Sequence, residues 1–119
     1  MKHYNYKMLS MPHANTYVEF ITDNFGCLAN IRLYSYSTLM LDLSLSRSSY
    51  NGVLEVKYPV NCSKTTARHV DRFTTELFGE NKYHALKKLT VCDQIDCEDI
   101  LMKAVDMFER YAINGKRYY

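Results

Sequence analysis

The chain has 119 residues, of which 47% are hydrophobic and 24% are charged, and its formal net charge at pH 7 is +2. This length and composition predict one folded domain over residues 1–119 with one core, and they exclude a disordered chain. Nucleic-acid-binding proteins usually concentrate a larger positive charge, so the small excess makes nucleic acid a less favoured partner than protein.

The sequence also indicates where the protein works. Residues 1–7 are polar and lack the apolar stretch of a secretory signal, and no apolar run approaches the length that spans a bilayer. We therefore expect a cytoplasmic protein of a host cell with no membrane contact. In that compartment the four cysteines are expected to stay reduced, as buried thiols or as metal ligands.

The first half of the chain is predicted to form strands joined as an antiparallel meander. Residues 38–46 alternate most regularly, which puts Leu39, Leu41, Leu43 and Leu45 on one face and predicts a central strand that covers the core. Turn-forming residues such as proline, glycine and asparagine separate the strands. The predicted strands are residues 4–9, Thr16–Thr22, 28–36, 38–46 and 53–58.

The second half of the chain is predicted to be helical. A first helix with a hydroxyl cap is predicted over Lys64–Phe78, and Gly79 ends it. A shorter helix is predicted to begin at Asn81, and a third runs from Asp96 to Asn114. Strands followed by helices are typical of the α+β class, so we expect a mainly antiparallel sheet of four to five strands, packed by three helices.

Four side chains with nitrogen or sulfur donors suggest a structural zinc site. They are Cys62, His69, Cys92 and Cys97, and the predicted helices return the chain so that two or three of them converge. The spacing is not diagnostic, because Cys92-x4-Cys97 is wider than the common two-residue knuckle. The other interpretation is that these cysteines are buried thiols that pack as small apolar groups.

His69 has three interpretations: a zinc ligand, a hydrogen-bonded core histidine, or part of an interaction face. A histidine that titrates near neutral pH suits a general base, but the sequence assigns no serine or cysteine as its nucleophile. The chain also lacks a Gly-rich phosphate loop, a paired-carboxylate signature and a Cys-x-x-Cys motif. We therefore expect a protein that is not an enzyme.

A basic face is predicted on the first helix. Lys64, Arg68 and Arg72 follow one another at one helical turn, and Lys57 and Lys82 are predicted to lie beside them. Such a face fits an acidic protein groove or the phosphates of a nucleic acid. The alternative is a solvated helix face that serves solubility alone.

Two stretches resemble a group of small uncharacterised proteins of bacteriophages and mobile elements. The first is Ser35-Tyr36-Ser37-Thr38, and the second covers residues 63–73 with the sequence Ser-Lys-Thr-Thr-Ala-Arg-His-Val-Asp-Arg-Phe. That group carries Ser-Tyr-x-Thr followed by Ser-x-Thr-Thr-x-Arg-His-[Ile/Val]-x-x-Phe. The resemblance implies a strand edge and a capped helix that pack on each other, and it implies no catalytic role.

A phage origin implies a kind of function. Small phage proteins without an active site often block a host defence protein in a stoichiometric complex, and the chain is similar in style to anti-CRISPR proteins that inhibit the type II effector nuclease. We therefore expect a non-enzymatic inhibitor that binds through the basic face and through exposed tyrosines. Two alternatives stay open: a nucleic-acid-binding phage regulator that uses the same helix, and an accessory structural phage protein.

Overall fold

The computed structural model describes residues 1–45, 56–57, 64–79 and 94–116, with side chains for residues 1–45, 64–79 and 101–116. Within these ranges the protein forms one antiparallel sheet and two helices. The strands follow one another in the sheet in chain order, as a meander. The strands are β1 (Lys2–Lys7), β2 (Thr16–Thr22), β3 (Leu28–Ser35), β4 (Thr38–Ser44) and β5 (Val56–Lys57), and the helices are α1 (Lys64–Phe78) and α2 (Gln94–Asn114).

The core lies between one face of the sheet and the two helices. Alternation along β2, β3 and β4 sends apolar side chains to this face, because successive side chains of a strand point to opposite sides. From the helices, Val70 and Phe73 of α1 and Met107 and Tyr111 of α2 complete the same cluster. The fully buried strand residues are Val18, Phe20, Ile31, Leu33, Leu41 and Leu43.

A bulge between β3 and β4 changes which residues of β4 face the core. Leu33 pairs with Leu41, but the next pair is Tyr34 with Leu39, so that Met40 has no partner in the register. Met40 is consequently buried at 4% exposure, whereas Leu39 is 37% exposed. The prediction that Leu39 shares the core face with the other leucines is therefore wrong, because the bulge interrupts the alternation.

Helix α1 has the bounds that the sequence predicts. Gly79 follows it in the left-handed conformation, with φ of 74°, and donates its N–H to the Thr75 carbonyl at 2.7 Å. Helix α2 begins two residues before the predicted start and ends at Asn114. Gly115 follows, and a Cβ there would lie 2.5 Å from the Tyr111 carbonyl oxygen, so only glycine fits this close approach.

The α+β class and the antiparallel sheet are confirmed. The edge strand β1 covers residues two positions earlier than predicted. The predicted helix that begins at Asn81 lies outside the described residues, as does the loop that follows β4. Neither helix in the described part of the chain is both long enough and apolar enough to cross a membrane.

Candidate interaction surface

The turn between β3 and β4 is formed by residues that rarely adopt its conformation. Ser35 pairs with Thr38, so the loop has two residues, and both have positive φ: 51° for Tyr36 and 68° for Ser37. This is the type I′ turn, for which Asn-Gly is the preferred sequence. A left-handed conformation costs a residue other than glycine about 1 kcal/mol or more. The turn therefore holds conformational strain.

Three interactions hold this strained turn in place. Ser35 Oγ lies 2.7 Å from His69 Nδ1 of α1 in a buried hydrogen bond, and 3.5 Å from Thr66 Oγ1. The Tyr36 N–H donates to the Asn15 carbonyl at 2.8 Å, which extends the ladder between β2 and β3. Together these bonds tie the turn to both the sheet and the first helix.

The Tyr36 side chain projects from this turn and remains accessible. It is 56% exposed, and its ring centroid lies 5.8 Å from that of His69 at an interplanar angle of 36°. Burial lowers the pKa of His69 first, and the positive charge of Arg68 lowers it further. The imidazole is thus neutral at pH 7. Tyr36 rests on an uncharged ring, with its outer face open to a partner.

The predicted basic face is present on α1. Lys64, Arg68 and Arg72 are all exposed, and each is separated from the next by about 6 Å of helix rise. We call these three residues the basic stripe. Within the described part of the chain none of them forms an ion pair with a carboxylate.

Other arginines of the described residues are already paired. Arg32 contacts Glu19 at 3.6 Å and Asp42 at 3.4 Å, and Arg110 contacts Asp106 at 3.2 Å. Arg68 and Arg72 differ from these, because no carboxylate of the described residues pairs with them, which leaves their donors available to an external acceptor.

The turn meets α1 at a residue that lies within the basic stripe in the chain. Tyr36 contacts His69, which directly follows Arg68 and precedes Arg72 by three residues. We call Tyr36 together with the basic stripe the tyrosine–arginine surface. The sequence indicated its basic half but did not assign Tyr36 to a site. The available signal was Ser-Tyr-Ser-Thr, a turn without glycine between two strands.

The other predicted contacts are placed only in part. Lys57 is paired with Asp42 in the sheet, and its side chain lies outside the described residues. Lys82 lies outside them altogether. Their place beside the basic stripe therefore remains a prediction.

Of the four predicted zinc ligands, only His69 has a described side chain. Cys62 and Cys92 lie outside the described residues, and Cys97 is in α2 without a described side chain. His69 is 2% exposed, and its Nδ1 is bonded to Ser35, which confirms its interpretation as a hydrogen-bonded core histidine. Among the residues with described side chains, no three His, Cys, Asp or Glu residues group as metal ligands. Zinc remains a prediction.

Ser35 and His69 are as close as a catalytic serine and its general base, but a substrate cannot reach them. Each residue is 2% exposed, so a substrate carbonyl does not reach the serine hydroxyl. The pair instead fixes the position of the turn on α1.

The chain matches no protein-family model, no curated protein and no solved structure.

Proposed function

We propose that this protein is a non-enzymatic binding protein that blocks an acidic surface of another protein through the tyrosine–arginine surface. The proposal is carried by one observation: Arg68 and Arg72 are exposed, have no carboxylate partner among the described residues, and flank His69, on which the exposed Tyr36 packs. Arginine and tyrosine are enriched among the residues that dominate the energy of protein interfaces. Arginine also binds carboxylates through two parallel hydrogen bonds.

The proposed partner is a host defence protein, specifically the type II CRISPR effector nuclease. Support comes from the resemblance of the Ser-Tyr-x-Thr and Thr-Thr-x-Arg-His stretches to a group of phage proteins. These two stretches contact each other through the Ser35–His69 bond, and the tyrosine and the first arginine of the surface belong to them. The resembling residues therefore coincide with the proposed contact surface.

A DNA-cleavage assay tests the proposal. We expect cleavage by the purified effector nuclease with its guide RNA to fall to background at about one molar equivalent of the protein. In the double variant Arg68→Glu/Arg72→Glu, half-maximal inhibition should need at least tenfold more protein, because opposite charges are replaced by like charges. The matched control Lys2→Glu/Lys7→Glu reverses two exposed charges on β1 and should inhibit as the wild type does.

Two results contradict the proposal. Cleavage that continues unchanged at a tenfold excess of the wild-type protein rules out this nuclease as the partner. Equal inhibition by the arginine variant and the wild type rules out the basic stripe as the contact surface.

Binding to a nucleic acid is the second candidate, and the exposed ring beside the basic stripe favours it, since aromatic side chains stack on bases. Three phosphate contacts would give a slope of about −2 to −3 for log affinity against log salt concentration. A fluorescent single-stranded oligonucleotide titrated at several salt concentrations measures this slope. A salt-tolerant protein complex supports the first proposal instead.

A further inference from the structure

We infer that Tyr36 is the preformed anchor of the tyrosine–arginine surface, and that the partner presents an acidic segment with an apolar contact site for the ring beside its carboxylates. This inference rests on the proposed function for the use of the basic stripe. It adds the chemistry of the partner and assigns a role to the turn.

The residues of the β3–β4 turn do not favour the type I′ conformation that they adopt. Asn-Gly in these two positions would adopt positive φ with little strain, whereas Tyr36 and Ser37 adopt it at a cost. Strained backbone persists where surrounding contacts leave no alternative, and it clusters at binding sites. The residues of this turn thus need an explanation other than turn formation.

Core packing does not supply that explanation. The ring of Tyr36 is 56% exposed, and the ring contact described for it is the one with His69. The buried tyrosines of the chain behave differently. Tyr111 is 1% exposed and packs against Phe20 and Tyr6, and its hydroxyl is hydrogen bonded. Tyr36 contributes its surface outward, as an interface tyrosine does.

Hydrogen bonds on two sides hold the turn in place. The Ser35–His69 bond fixes it to α1, and the bond from the Tyr36 N–H fixes it to Asn15, the residue that directly precedes β2. An anchor held in its binding conformation before the partner arrives loses little conformational entropy on binding. Strain and rigidity together describe a side chain that is displayed for binding.

The arginines of the basic stripe indicate the chemistry of the partner. Arg68 and Arg72 are exposed on the helix that carries His69, the ring partner of Tyr36, and about 6 Å of helix rise separates them, so they suit two carboxylates at a similar spacing. The exposed face of the tyrosine suits an apolar or aromatic side chain. An acidic peptide segment that carries such a residue beside its carboxylates satisfies both requirements.

The test replaces the strained turn by its unstrained equivalent. The double variant Tyr36→Asn/Ser37→Gly keeps the type I′ turn, so we expect its melting temperature to rise by about 3–6 °C. Peptides selected by the wild-type protein from a displayed library of random dodecapeptides should be acidic and carry an apolar or aromatic residue beside their carboxylates. The double variant should bind them at least tenfold more weakly, as measured by fluorescence polarisation.

Two further variants complete the test. Tyr36→Phe keeps the ring and should bind the selected peptides within about threefold of the wild type. Phe25→Ala removes another exposed ring, 92% accessible in the β2–β3 turn, and should leave binding unchanged. These controls separate loss of this particular anchor from loss of any exposed aromatic side chain.

Each outcome decides the inference. It is overturned if the wild type selects no acidic peptide family, or if the double variant binds the selected peptides within twofold of the wild type. Failure to inhibit the nuclease, with Tyr36-dependent peptide binding intact, refutes the proposed partner and leaves the anchor. Nuclease inhibition that depends on Arg68 and Arg72 but not on Tyr36 refutes the anchor alone.

Discussion

At the scale of single residues, Glu76 connects three parts of the molecule. Its carboxylate accepts hydrogen bonds from the Ser10 hydroxyl at 2.8 Å and from the Tyr111 hydroxyl at 2.9 Å. The Tyr111 hydroxyl in turn accepts the Leu9 N–H at 3.0 Å. Burial raises the pKa of Glu76, and the bonds from Ser10 and Tyr111 offset part of that rise. The group therefore links stability to pH.

The sign of this linkage follows from the raised pKa. The folded protein binds the Glu76 proton more tightly than the unfolded chain does, so the contribution to stability is fully present below the unfolded pKa of about 4.3. It is lost as the pH rises through the folded pKa. Glu76→Gln removes this titration and keeps both bonds, because the amide oxygen accepts from Tyr111 and the amide N–H donates to Ser10.

We therefore expect the unfolding free energy of Glu76→Gln, minus that of the wild type, to increase from pH 4 to pH 7. Urea denaturation at several pH values measures this difference. Glu109→Gln, at an exposed position of α2, is the control and should give a difference that stays within about 0.5 kcal/mol across this range. A difference for Glu76→Gln that decreases with pH would contradict the raised pKa.

At the scale of elements, the β3–β4 hairpin depends on α1 as much as on its own turn. Its bulge and its two positive φ angles both depart from a regular hairpin. The buried hydrogen bond between Ser35 and His69 joins the hairpin to the helix across 34 residues of chain. Because His69 is buried, removal of the serine hydroxyl leaves its Nδ1 without this hydrogen bond.

Ser35→Ala should therefore lower the unfolding free energy by about 1–3 kcal/mol, the usual effect of an unsatisfied buried polar group. Urea denaturation measures the change. Hydrogen exchange at the Tyr36 amide should also become faster, since the turn loses its attachment to α1. Ser44→Ala on β4 is the matched control, with an expected change within about 0.5 kcal/mol. Equal stabilities of Ser35→Ala and the control would show that the bond does not hold the turn.

At the scale of the whole molecule, the two faces of the sheet differ. One face carries the core and the helices, and the other carries the cross-strand sequence Glu19, Arg32 and Asp42, in which neighbours of opposite charge face each other. These charges neutralise one another across the strands. On α1, by contrast, Lys64, Arg68 and Arg72 have no carboxylate partner among the described residues, which leaves their charge available to an acidic partner.

The predicted zinc site would join separate parts of the chain, because its four ligands lie far apart in the sequence. His69 fits only through Nε2, since Nδ1 is bonded to Ser35. We expect one zinc per chain by elemental analysis, and a melting temperature that falls by at least 5 °C with a chelator, because metal-binding energy is folding energy. Cys92→Ser should lose the zinc, whereas Cys27→Ser, at an exposed cysteine of the β2–β3 turn, should keep it. Less than one zinc in ten chains would refute the site.

Much of the fold could be predicted from the sequence. The bounds of Thr16–Thr22 and Lys64–Phe78 agree with the prediction, because alternation and helical spacing are local patterns that the chain carries in itself. The bulge beside Met40 left no such pattern, and Leu39 was misplaced for that reason. The basic stripe of the candidate site could be predicted, because its spacing is visible in the sequence. The exposed Tyr36 in a turn with positive φ could not be predicted in this way.

Local patterns in the sequence were enough to predict the class of fold, the antiparallel order of the strands and the positive face of α1. These features depend on residues within a few positions of one another, whose side chains set the local conformation. Tertiary packing was needed to show that Ser35 bonds to His69, that the exposed Tyr36 packs on His69, and that Arg32 pairs with Asp42 whereas Arg68 has no carboxylate partner in the described part of the chain. Such pairings join residues far apart in the chain, and packing of the whole core selects them.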